Sequence, residues 1–386
     1  MKFTRLAVSI AIASLAMPAL AQSTPQYSIT DLGAVGPGTN YSQAFGMSSN
    51  GNYVTGRMIG DDSVSAVPWP AFIWQSGQGS TAQGYLSGNP YNWSFAVNNS
   101  GVSVGLASAS EGGSGSMPVM WKNGQATALA LPTGYSDGRA FAINNNGIAV
   151  GSVGDDVTEQ ATIFNTVTGK TTLINAISSD GSFMVSAYGV SDNGIVVGLG
   201  QSPGSLPDMV MYNMNTGVMT TLPVPAFTGV NGSSATGISP NGQYVVGASG
   251  NSSQAVIWSA ATGVISVALP STSSNGQLNA VNNLGWAVGE SGGQYATPFL
   301  YENGKTYTIS SLITNGAGWN FDTTTSADAT GIDANGDIVG TAQINGIEHA
   351  FLLTPTAAVP EPASYALMLA GLGVVGLIAR RRKLPR

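Results

Sequence analysis

One phrase recurs seven times along this chain: FGMSSNGNYVTG, FAVNNSGVSVG, FAINNNGIAVG, YGVSDNGIVVG, TGISPNGQYVVG, AVNNLGWAVG and TGIDANGDIVG. Its turn glycine falls at Gly51, Gly101, Gly147, Gly194, Gly242, Gly285 and Gly336, in steps of 50, 46, 47, 48, 43 and 51 residues. A repeat of this length matches one four-stranded blade of a β-propeller and exceeds the period of a leucine-rich repeat or a β-helix rung. Seven units therefore predict an all-β, seven-bladed β-propeller over residues 22–355.

Each unit reads as four strands. Asn-Gly pairs at Asn50-Gly51, Asn146-Gly147, Asn193-Gly194, Asn241-Gly242 and Asn335-Gly336 supply the left-handed conformations that a tight hairpin between first and second strands demands. After a loop of variable length, a third strand ends in an aromatic or large apolar residue, as in AFIW, PVMW, ATIF, MVMY, AVIW, PFLY and AFLL. A Gly-containing turn and a Thr- and Leu-rich fourth strand, such as ATALAL, MTTL or YTISSL, complete the unit with period-two alternation. The seventh unit stops after HAFLL with no fourth strand, while YSITDL near the start has no blade of its own. Pairing of residues 27–32 with 350–353 closes the ring and leaves no blade edge open to aggregation.

Composition agrees with short strands and tight turns: charged residues make up only 8% of the 386, and Gly numbers 52. Five basic residues, Arg57, Lys122, Arg139, Lys170 and Lys305, oppose eighteen Asp and Glu between Asp31 and Glu348, a balance of −13. Such a body repels phosphate backbones and carries no basic stripe, which argues against a nucleic-acid partner. With no cysteine, disulfides, thiolate metal sites and Cys nucleophiles are all excluded.

Both ends read as addresses. Lys2 and Arg5, an apolar run over residues 6–16 and the small residues Ala19 and Ala21 before Gln22 form the three parts of a secretory signal peptide, residues 1–21. The apolar run is too short to cross about 30 Å of hydrocarbon. Residues 356–362 form a linker with Pro360-Glu361-Pro362, and the uncharged stretch 363–379 precedes Arg380, Arg381, Arg382 and Lys383. As a helix it reaches roughly 25 Å at 1.5 Å per residue, so 363–386 reads as a short transmembrane helix whose basic tail stays cytoplasmic.

That ending resembles the PEP-CTERM sorting signal of Gram-negative bacteria. The resemblance implies recognition by an exosortase, a membrane protease that removes the tail, in cells that make exopolysaccharide and build biofilm. The helix is then a transient anchor on a route to the cell envelope, surface or extracellular matrix. The body resembles the extracellular HAF repeat family through His349-Ala350-Phe351, with Pro70-Ala71-Phe72, Gln160-Ala161-Thr162 and Gln254-Ala255-Val256 at the same place in other units. This second resemblance implies an exported β-repeat protein and adds no catalytic residue.

Little in the body reads as catalytic machinery. His349 is the only histidine, and other units carry Pro, Met, Gln, Asp or Thr at its position, so it is not expected to serve as a base; a zinc site built from several imidazoles is excluded. Asp61-Asp62 and Asp155-Asp156 follow glycines in loops, but adjacent side chains in an extended loop point apart, a poor match to a glycosidase pair. Asp333, Asn335 and Asp337 alternate as calcium ligands do, yet the glycine precedes the third acid, and Asp333 aligns with Asn98, Asn144 and Ser191, where short polar side chains support a turn. Calcium is the one cofactor this pattern admits.

Loop placement is more informative. In a four-stranded blade the first-to-second and third-to-fourth turns share one face, and the long loops share the other. The long loops are expected to hold Asp61, Asp62, Glu111, Asp155, Asp156, Glu159, Asp208, Glu290 and Glu348, half of the body's acids. Trp69, Trp93 and Trp319 are expected in long connections on that acidic face, where aromatic rings stack on sugars while polar neighbours bond hydroxyls. Trp74, Trp121, Trp258 and Trp286 are expected to pack in the sheets. The expectation is a non-catalytic exported protein whose loop face binds polysaccharide or a matrix protein; a propeller-type glycosidase or polysaccharide lyase using loop carboxylates is the alternative.

Overall fold

The computed structural model describes residues 24–35, 39–60, 68–111, 115–155, 158–201, 207–224, 232–250, 254–270, 275–292, 296–322 and 327–356. Apart from Thr24 and Pro25 they belong to one compact unit, Gln26–Ala357; the other unit comprises Met1–Pro25 and Ala358–Arg386. The signal-peptide positions Ala19, Ala21 and Gln22, the sorting positions Pro360, Glu361, Pro362, Arg380, Arg381 and Arg382, and the loop acids Asp61, Asp62 and Asp156 lie outside the described residues. Among those described, no helix is long and apolar enough to cross a membrane.

Seven antiparallel sheets follow one another in chain order, six of them with four strands joined first to second to third to fourth. Blade 1 runs Thr39–Met47, Tyr53–Gly60, Ala71–Gln75 and Gly79–Ala82. The first strands of blades 2 to 7 are Tyr91–Val97, Gly138–Ile143, Phe183–Val190, Ser233–Ile238, Gly276–Val281 and Asp328–Ile332. Each of the seven first strands contacts the next, and the seventh contacts the first. They therefore form a closed inner ring. Apolar residues pack between sheets, as where Val150 and Ala161 of blade 3 meet Met184, Ala187, Val196 and Val210 of blade 4.

The ring closes as the orphan strand requires. Tyr27–Asp31 pairs antiparallel with Ile347–Pro355, with Tyr27 opposite Pro355 and Asp31 opposite Phe351. Tyr27 is 2% exposed and packs with Ile29, Phe351 and Leu353. Blade 7 thus takes its outermost strand from one end of the chain and its other strands from the far end.

The turn glycines have positive φ, between 71° and 88°, but the turn differs from the tight hairpin expected of Asn-Gly. In blade 2, Gly101 N donates to Asn98 O at 3.0 Å, and Asn98 Oδ1 accepts from the backbone N of Ser100 and Val102. This side chain bridges the wider turn, so a single left-handed residue suffices and the residue before the glycine stays at negative φ. Two consecutive left-handed residues occur instead at Asn123-Gly124, Asn303-Gly304 and Asn345-Gly346, where two-residue turns require them.

Every first strand also slips register at a shared position, where the skipped residues are Phe45, Phe95, Phe141, Tyr188, Thr236, Asn279 and Thr330. The first strands of blades 1 and 4 slip a second time, at Asn40 and Val185. The carbonyl two residues before each skipped residue crowds the second strand, and the glycine closing each repeat phrase makes room for it. A Cβ on Gly56, Gly105, Gly151, Gly198, Gly247, Gly289 or Gly340 would lie 1.8–2.1 Å from that first-strand carbonyl oxygen. Only glycine fits there, so bulge and glycine are one device.

Candidate functional site

A β-bulge re-aims a side chain, and seven equivalent bulges in a closed ring aim seven side chains at its axis. The seven residues skipped at the shared position line a central cavity and are partly exposed within it. The four on blades 1 to 4 are aromatic. Phe45–Phe95, Phe95–Phe141 and Phe141–Tyr188 have ring centres 5.7, 5.6 and 5.2 Å apart and interplanar angles of 45°, 43° and 59°. These angles follow the turn of about 51° between blades of a sevenfold ring.

The remaining arc is polar and stitches blade to blade. Thr236 Oγ1 donates to Leu278 O, Asn279 Nδ2 donates to Ala329 O at 3.0 Å, and Thr330 Oγ1 donates to Ala44 O at 3.0 Å. At the turn end the ring narrows. Ser49 Oγ donates to Asn99 Oδ1, Asn99 N to Asn145 Oδ1, and Asn145 N and Nδ2 to the Asp192 carboxylate. Asn145 Nδ2 also reaches Ser49 Oγ at 3.4 Å, from blade 3 to blade 1.

The opposite end, on the long-loop face, carries a cation. The Arg57 guanidinium lies 5.3 Å from the Trp93 ring centre, 5.4 Å from Trp69 and 5.8 Å from Phe45, within cation–π range. Its Nε donates to Gln43 Oε1 at 2.7 Å, and Gln43 Nε2 donates to Glu348. Trp69 is held by a bridge to Tyr91: its N donates to Pro90 O and its O accepts from Asn92 N. Its ring stands edge-on to Tyr91 and Trp93. Burial draws the Arg57 pKa down, against the opposing pull of Glu348 and Glu111.

On blades 6 and 7, the latter adjoining blade 1, sit two partly exposed carboxyls. Glu290 accepts from Gln277 Nε2 at 3.0 Å, and burial raises its pKa. Asp328 accepts from Thr341 N at 2.7 Å; burial first, and then the Glu290 charge, hold its pKa well above the ordinary carboxylate range. Carboxyls thus adjoin the aromatic and cationic cluster of blades 1 and 2.

The residues singled out in the sequence divide accordingly. Trp69 and Trp93 come together at this mouth, although Trp93 lies on a first strand and Trp69 is only 9% exposed. Trp319 is elsewhere: in the two-residue strand Trp319–Asn320 beside Ile344 and Gln343, it packs on Phe321 and Phe351. Asp208, Glu290 and Glu348 lie on strand ends instead of loops. Asp155 folds back on its loop and accepts from Thr158 N and Oγ1.

Asp333 Oδ1 accepts from the backbone N of Asn335 and Asp337, and its Oδ2 from Asn335 Nδ2, the same turn-bridging role as Asn98. Among the described residues no group of three or more His, Asp or Glu is placed to hold a metal. His349 Nδ1 lies 2.9 Å from Asp31 Oδ1, joining the strands that close the ring. Sequence reasoning missed Arg57 and the axial ring. The signal was present, since the axial residue opens or immediately precedes every repeat phrase and Arg57 follows the closing glycine of the first.

A closed seven-bladed propeller with an axial channel is the class these features define. Virginiamycin B lyase from Staphylococcus aureus is similar over 85% of this chain and 99% of its own, with a TM-score of 0.54 and 9% identity. The β-propeller domain of the Trilobed protease from Pyrococcus furiosus, described as having an open velcro topology, is similar over 84% of this chain and 100% of its own, with a TM-score of 0.50 and 11% identity. A puromycin hydrolase is similar over 86% and 58%, with a TM-score of 0.52 and 9% identity. At these identities the likeness is one of fold.

Residues 358–383 match the PEP-CTERM protein-sorting motif. The protein is accordingly an exported one, recognised and processed at the membrane by an exosortase. No curated protein matches the chain in sequence.

Proposed function

We propose that this protein is a non-catalytic component of the cell surface or extracellular matrix that binds polysaccharide at the loop-side mouth of its channel, in a biofilm or exopolysaccharide setting. Its route begins with cleavage of the N-terminal signal peptide after Ala21. The observation that carries the reading is the cluster of Arg57, Trp69 and Trp93, in which the partly exposed Trp93 ring lies beside the guanidinium and the buried Trp69 packs edge-on against it. Sugars present the complementary pattern of C–H faces and hydroxyl edges.

The test is titration of the full-length protein, held in detergent, with polysaccharide from its host's matrix. Binding is expected without new reducing ends or unsaturated sugars. Trp93→Ala should weaken it about tenfold, the loss of one stacked ring. Unchanged binding in Trp93→Ala and Trp69→Ala would overturn the proposal.

A second reading, a glycosidase or lyase, is favoured by Glu290 and Asp328. Both are carboxyls raised by burial at the same mouth, the condition under which a carboxylic acid stays protonated to act as a general acid. Product that forms with the native protein and disappears in Glu290→Gln and Asp328→Asn would establish it.

A further inference from the structure

We propose that the axial channel is a socket for the terminal unit of a neutral glycan chain, an inference that rests on the polysaccharide reading of the mouth. Three observations carry it. The channel is roomy where the aromatic arc faces it: a cavity of about 410 Å³ is bounded by Phe45, Phe95, Phe141, Tyr188, Ser234 and Thr236, within the roughly 300–1,000 Å³ of small-molecule sites. A second volume of about 230 Å³ continues toward the turns.

The wall is divided by chemistry. Four successive aromatic rings form one side, and Thr236, Asn279 and Thr330 form the other. A pyranose ring has one apolar face and a rim of hydroxyls, so it can lay C–H groups on the arc and turn hydroxyls toward the polar side chains. None of the seven axial residues is charged. A uronate lodged among them would lose its water beside seven side chains none of which carries a positive charge, which is strongly unfavourable. A neutral sugar incurs no such cost.

The third observation is the constriction at the turn end. Asn145 Nδ2 reaches Ser49 Oγ at 3.4 Å, and Asn145 and Asp192 are locked together beside it. These bonds narrow the turn end on the side of blades 1 to 4, so the wider aromatic end is where a chain terminus would enter, with its following units crossing the mouth at Trp93 and Arg57.

The experiment compares native, Phe141→Ala and Trp93→Ala full-length protein in detergent, titrated with cellotetraose, maltotetraose and tetragalacturonate. A neutral tetrasaccharide should bind the native protein more tightly than tetragalacturonate, and Phe141→Ala should lose about tenfold or more in affinity. The Tyr188 ring signals in NMR spectra of the native protein should shift on addition of the neutral sugar, a readout that does not depend on how the variant folds. Binding that is unaltered in Phe141→Ala, or leaves Tyr188 unmoved, while Trp93→Ala abolishes it, overturns the socket and keeps the mouth. Preference for tetragalacturonate overturns neutrality. Failure of the native protein to bind any of the three overturns both.

Discussion

Asp337 illustrates how a residue inside a repeat phrase acquires individual properties from its seat. It lies where blade 7 meets blade 1, near Gly51 and Asp333, and burial, followed by the Asp333 charge, raises its pKa from 3.8 to about 6. A raised carboxyl holds its proton more tightly folded than unfolded. Its contribution is therefore most favourable at low pH and is lost as pH rises from about 4 through 6. Asp337→Asn should raise the melting temperature at pH 7.5 and leave it nearly unchanged at pH 4, so calorimetry at the two pH values checks the sign.

His349 makes the opposite case. Its pair with Asp31 is accessible to solvent, 18% and 36% exposed at the two side chains, and such pairs contribute at most about 1 kcal/mol. His349→Ala should shift melting only slightly. A large loss would mean that the pair, and not strand pairing, secures the closure.

At the scale of the element, the bulge is the feature from which the axial site follows. Gly105→Ala places a Cβ about where the Trp93 carbonyl oxygen lies, 1.8 Å away, and should destabilise the protein by about 3 kcal/mol or more. Thermal melting of this variant beside Gly77→Ala, at an open positive-φ turn glycine, separates close approach from backbone preference. The hairpins, third strands and blade count were legible because each rests on local chemistry repeated seven times. The bulge was not, since period-two alternation assumes an unbroken register and a single inserted residue escapes it. The closing glycines did record it, but a glycine at the end of a strand reads equally as a strand terminator.

At the scale of the molecule, closure was legible by counting, because an orphan strand at one end and a missing strand at the other leave only one arrangement without open edges. Removal of residues 22–33 takes away the whole strand Tyr27–Asp31, with Tyr27 and Ile29 from the core, and should lower the melting temperature by many degrees. An unchanged melting curve would refute the role assigned to this strand. The channel was less legible than the ring enclosing it. Phe45, Phe95, Phe141 and Tyr188 stand 46 to 50 residues apart, and each alone is an unremarkable strand aromatic; they become one surface only when the seven blades come round. Attention to tryptophans located half of the mouth and overlooked Arg57, whose significance depends on three rings brought to it from two blades.

The position of the closing strand has a consequence for timing. During synthesis and export the strand Tyr27–Asp31 appears early, and its partner Ile347–Pro355 appears last among the strands, with only Thr356 and Ala357 between that partner and the sorting motif that starts at residue 358. A chain emerging N-terminus first must keep its first strand waiting through six complete blades. The ring can shut only when the residues next to the motif have emerged. Completion of the propeller and presentation of its address are thereby successive in the chain, so a molecule stalled before residue 355 remains both open and unsorted.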